Sequence, residues 1–136
     1  MSVEMQERAR REMLRNSRYR WLGEVSQGRA RRILAGSRLM VLSSRMEGGA
    51  NVLSEALVCR VPALVSRIPG SMGILGAGYP GAFPVGDTRR LAHLMRRCET
   101  DPAFYDRLGS RCRRLASRFR PERERESWRS LLRELF

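Results

Sequence analysis

The sequence predicts an α/β domain, a parallel sheet of about four short strands flanked by helices. Three observations lead there. Apolar runs of strand length recur at 39–42 (LMVL), 61–65 (VPALV) and 82–85 (AFPV), as in sheets buried on both faces. Segments with apolar residues at helical spacing separate the runs, which is the pattern of βαβ units. Turn formers such as Gly48-Gly49 and Gly86-Asp87 mark the joints.

In order, residues 3–16 carry helix formers with Met5, Ala9, Met13 and Leu14 on one stripe, ending at Asn16-Ser17. Residues 19–22 read as a short strand closed by Gly23. Ser26 suits an N-cap for a helix to Ala35 or Gly36, with Ala30, Ile33 and Leu34 inward. A strand at 39–42, a polar loop at 43–50 and a helix from about Asn51 to Cys59 follow. Residues 61–65 form the next strand, 68–81 a Gly-rich connection, and 82–85 the last strand.

Thr88 caps a helix to about Arg97 with Leu91, Leu94 and Met95 on its inner face. Asp101-Pro102 opens another, 103–119, with Phe104, Leu108, Cys112 and Leu115 at helical spacing. Pro121 breaks the chain before a last helix at 122–136 carrying Trp128, Leu131, Leu132 and Leu135. The expected organisation is therefore one domain over 1–136: a leading helix (1–17), a core (18–120) and a terminal helix (121–136).

Composition narrows the function classes. No apolar run approaches the ~20 residues of a membrane span. Residues 1–16 are charged throughout, unlike a signal peptide. Cys59, Cys98 and Cys112 are odd in number and scattered, so they read as small buried groups in a reduced, cytoplasmic compartment. The net charge of +13 raises nucleic acid as a partner. All 27 basic residues are arginine, however, and many alternate with acids, as in RPERERE at 120–126. That pattern describes solvated helix faces and a uniform compositional bias, and it leaves nucleic acid the less favoured reading.

The chemistry concentrates in residues 39–58. A buried strand feeding a Gly-containing turn and then a helix builds an anion site, because first-turn N–H groups lack intrahelical partners. Gly48 and Gly49 let a ligand approach the backbone without a Cβ in the way. Glu47 and Glu55 bracket the turn with seven residues between them. Amides suit a phosphate and acids suit hydroxyl-rich groups beside it, so the stretch fits a nucleotide-sugar. In parallel sheets such ligands bind outside the carboxyl ends of the strands, where the Glu47 and Gly70 loops are expected to emerge.

EGGANVLSE resembles the E-x7-E element of retaining glycosyltransferases with the GT-B fold, the family of sucrose synthases and bacterial mannosyltransferases. YRWLGEV, LMVLSS, EALVCRVPALVSRIPG and GDT flank it in the family's order, from about Tyr19 to the last helix. SSRMEGGANV, SRIPGSMGILG and YPGAFPVGDT resemble one branch in particular, the selenosugar synthases of selenoneine biosynthesis.

The resemblance implies a Rossmann-like, C-terminal donor-binding domain. It implies UDP-N-acetylglucosamine as donor, selenophosphate as acceptor, and neither a metal nor a further cofactor. Glu55 would bind the ribose hydroxyls and Glu47, the catalytic candidate, the sugar hydroxyls near the reacting carbon. Gly48, Gly49, Ala50, Asn51 and Val52 would face sugar and diphosphate along the helix N-terminus. Arg45 is placed to meet the diphosphate, and Gly70 to approach the ligand, although a surface arginine and a turn glycine describe them equally well. Ser43 and Ser44 read as residues that satisfy turn amides, and His93 as a helix-surface residue.

Against the family's two facing domains, this sequence has room for one. The acceptor domain, the donor domain's first two strands and the usual Arg/Lys pair are not matched. The expectation is an N-terminally truncated half, inactive alone, whose missing strands a separate chain could supply. A non-catalytic remnant or interaction module of the same fold is the alternative.

Overall fold

Strands β1 (Met40–Leu42), β2 (Ala63–Ser66) and β3 (Ala82–Phe83) form a parallel sheet in the order β1-β2-β3 in the computed structural model. It describes residues 2–46, 50–119, 129 and 132–135. The helices are α1 (Val3–Arg15), α2 (Gln27–Ala35), α3 (Ala50–Val58), α4 (Pro69–Leu75), α5 (Thr88–Thr100) and α6 (Pro102–Phe119). The expected helix at 122–136 lies largely outside the described residues, Trp128 and Leu131 included; Leu132 to Leu135 are helical.

The chain divides within α2 into two compact units, Met1–Ala30 and Arg31–Phe136. In the first, Ser2 caps α1 by accepting from the Met5 N–H at 3.2 Å. The expected apolar stripe buries nothing: Met5 and Leu14 are exposed, Ala9 and Met13 half-covered. The strand expected at 19–22 is irregular chain. Its backbone is committed to a helix-ending turn, in which the Arg18 N–H bonds Asn16 Oδ1 and the Tyr19 N–H bonds the Asn16 carbonyl, both at 3.0 Å. Trp21 instead lies under the Arg10 guanidinium, 5.6 Å from the ring centroid.

The second unit holds the sheet and the core. Parallel strands require crossover connections, supplied by α3 between β1 and β2 and by α4 between β2 and β3. All four residues of the central strand β2 are buried, whereas Val41 of the edge strand β1 is 38% exposed. Leu53, Ala56 and Leu57 of α3 and Phe104, Leu108 and Cys112 of α6 recur at helical spacing and are fully covered.

Several expectations shift by a residue or a face. Asp87, not Thr88, caps α5, accepting from the Arg90 N–H at 2.9 Å, and Thr88 is the first helical residue. Leu94 is buried, but neighbouring Met95 is exposed, since adjacent helix positions point about 100° apart. Ala30 and Ile33 are likewise exposed, and only Leu34 of that trio reaches the core. The Gly-rich connection contains α4, started by Pro69 at its first turn.

Candidate functional site

Because the strands are parallel, the segments leaving β1 and β2 emerge at one rim of the sheet, and Ser66 joins them there. Ser66 is the last residue of β2 and 1% exposed. Its hydroxyl lies 2.6 Å from the Ser44 carbonyl and 3.4 Å from that of Leu42. A buried hydroxyl donating to a neighbouring loop satisfies itself and fixes that loop. Ser66 is therefore the anchor for the start of the segment that leads from β1 to α3. The sequence marks it only as the end of an apolar run, because its partners lie 22 and 24 residues away.

The predicted site residues divide according to this geometry. Glu47, Gly48 and Gly49 lie outside the described residues. Ala50 and Asn51 open α3 and Val52 follows, 41% exposed at the helix N-terminus. Arg45 is exposed in the segment after β1. Gly70 is the second residue of α4 and half-buried, so it lies in a helix and not in the open loop that was expected. Ser44 contributes its carbonyl to Ser66. The sequence assigned its side chain to turn amides instead.

Glu55 sits on α3, turned partly away from solvent. One of its carboxylate oxygens, Oε1, is 3.6 Å from a terminal guanidinium nitrogen of Arg31 on α2. Both side chains are mostly covered, 18% exposed for Glu55 and 22% for Arg31. A solvated acid on a helix surface does not have this environment. Arg31 carries no mark in the sequence that separates it from its neighbours Arg29 and Arg32.

A separate cavity of about 580 Å³ opens at the other end of α3. Leu57, Val58, Arg60, Arg113 and Ala116 are among the residues lining it, and none of the predicted site residues is. No group of His, Cys, Asp or Glu suited to a metal occurs among the described residues. No helix among them is long and apolar enough to cross a membrane. Cys112 is buried, which pushes its thiol pKa up, while Cys59 and Cys98 are half-covered.

Compared with known proteins, residues 3–115 match the family described as Glycosyl transferases group 1. The match begins ahead of Tyr19, so it takes in α1 as well as the sheet. No curated protein matches the chain.

Proposed function

Because the chain belongs to the group 1 glycosyl transferases, we propose that it is the donor-binding half of a sugar transferase, holding a nucleotide-diphospho-sugar where β1 leads into α3. The observation that carries this is the coincidence of the family match with a parallel βαβ rim. The helix that would face the diphosphate, α3, carries a mostly covered carboxylate, Glu55. Glycosyl transfer needs a leaving diphosphate stabilised as charge develops on it, and oriented backbone N–H groups provide that without reorganising.

In this reading the amides from Gly48 to Val52 meet the diphosphate and sugar, with Arg45 adding a cation. Glu55 accepts from the ribose hydroxyls, and Glu47 accepts from the sugar hydroxyls beside the anomeric carbon. Gly70 lies on the β2 side of the same rim. The donor is UDP-N-acetylglucosamine and the acceptor selenophosphate. The C1–O bond to the diphosphate breaks, UDP leaves with its electron pair, and a C1–Se bond forms. The acceptor-binding half, and a strand for the outer edge of β1, come from sequence or a chain beyond these residues.

Isothermal titration of the 136-residue chain with UDP and UDP-N-acetylglucosamine tests the proposal. Binding is expected, and Glu55→Ala should weaken it at least about tenfold, the loss of a charged hydrogen-bond acceptor. A folded chain that ignores every nucleotide-sugar at millimolar concentration would sink it.

A further inference from the structure

We infer that Arg31 is a positioning residue for Glu55, and that the pair gives the site its preference for a ribose diol over a deoxy sugar. The inference rests on the donor-binding reading above and adds to it a residue on a different helix. Arg31 stands on α2, before β1, and Glu55 on α3, after it. Their side chains meet at 3.6 Å with about four-fifths of each covered.

An ion pair this far out of water is not explained by a gain in stability, since desolvation consumes most of the Coulombic attraction. Its geometry accounts for it better. The contact is made through Oε1, and an ionised carboxylate has about four lone-pair sites. Acceptor capacity on Oε2 remains for a ligand. Glu55 keeps 18% of its side chain exposed, so a ligand from solvent can reach it.

Two vicinal hydroxyls match a carboxylate held in this way, each donating one O–H. A long acidic side chain left free would have to give up rotamer freedom on binding. Arg31 removes that freedom beforehand, which is preorganisation of the acceptor. Arginine suits the task because its planar fork holds a carboxylate in one orientation, as an ammonium does not.

The test compares the affinity of the full chain for UDP with that for 2′,3′-dideoxy-UDP, two ligands that share base and diphosphate. Wild type should favour UDP by about tenfold or more, the worth of a hydrogen bond to a charged group. Glu55→Gln sets the floor of that preference. Arg31→Met and the milder Arg31→Gln should bring it to within about twofold of that floor, and Arg31→Lys, which keeps the charge but not the fork, should recover only part of it. Thermal melts confirm that the variants used are folded. A merely structural arginine would weaken both ligands alike and leave the ratio unchanged. A folded Arg31→Gln or Arg31→Met protein that keeps the full ribose preference therefore overturns the inference while leaving the proposed function standing. No ribose preference in wild type, or none lost in Glu55→Gln, overturns it together with the assigned role of Glu55.

Discussion

Tyr79 and Gly81 lock the strand order from inside the core. The Tyr79 phenol donates to the Ala63 carbonyl at 2.5 Å and lies 3.5 Å from the Cys112 sulfur. Burial drives its pKa far above the usual phenol value. Its ring fills the space beside Gly81, where an added Cβ would stand 2.8 Å from both the Ala63 carbonyl oxygen and a Tyr79 ring carbon. Tyr79→Phe removes a buried hydrogen bond and should cost about 1–2 kcal/mol. Gly81→Ala forces backbone and ring apart and should cost about 1–3 kcal/mol. Urea denaturation of the two variants measures both, and a Gly81→Ala protein as stable as wild type would contradict the packing described.

Asp101 makes a separate prediction at the same scale. It accepts from the Phe104 N–H at 3.1 Å and from Arg97 at 3.2 Å, and these hold its pKa below the usual carboxylate value, the backbone bond first. A depressed folded-state pKa contributes stability above the unfolded value of about 3.9, and the contribution is lost as pH falls through the folded value. The melting temperature of wild type should thus decline more steeply below about pH 4 than that of Asp101→Asn. Parallel declines would refute it.

At the scale of elements, helix ends were legible where a side chain signs them locally. Ser26 caps α2, accepting from the Arg29 N–H at 3.2 Å, and Asp101-Pro102 opens α6. α4 was hidden because PGSMGIL is rich in turn formers, and its helix is held by packing against α3 and α6, which no local pattern records. The candidate site between β1 and α3 rests on a motif visible in the sequence. Its supports, Ser66 and Arg31, were not visible there, because Ser44 lies 22 residues from Ser66 and Glu55 lies 24 residues from Arg31.

The end of α3 carries the clearest test at this level. The Val61 N–H reaches the Ala56 carbonyl and the Arg60 N–H that of Leu57, at 3.0 and 3.2 Å. This is the double-bonded helix stop whose left-handed position normally takes glycine, yet Arg60 occupies it with φ 60°. Relieving a side chain of that conformation outweighs the extra backbone entropy of glycine, so Arg60→Gly should raise stability by about 0.5–1 kcal/mol. Ser66→Ala should act in the opposite sense, costing about 1–2 kcal/mol by leaving the Ser44 carbonyl without its buried donor. Donor affinity should fall with it, since the segment before Glu47 loses its anchor.

For the whole molecule, charge is the dominant variable. With 27 arginines against 14 acids, the arginines outnumber the carboxylates that could pair with them. Arg97 contacts Asp101 and also lies 3.9 Å from the Phe104 ring centroid, so it binds α5 to α6. The excess repels itself across the surface, and raising salt from about 20 to 200 mM shortens the screening length from roughly 20 Å to under 10 Å. Melting temperature should therefore rise with salt, opposite to a fold held by surface ion pairs. The same titration separates the two kinds of anion this chain can attract. A polynucleotide held by several arginines releases condensed counterions, and its affinity falls by about 0.9 log units per phosphate contact for each tenfold rise in salt. A nucleotide-sugar has no condensed sheath, and its carboxylate-to-diol contact is indifferent to screening. From about 50 to 500 mM salt, UDP-sugar affinity should change less than about tenfold while duplex DNA affinity falls by several orders of magnitude. If both decline with the same steep slope, the binding is the arginine field acting on any phosphate, and a built donor site at the β1–α3 rim is refuted.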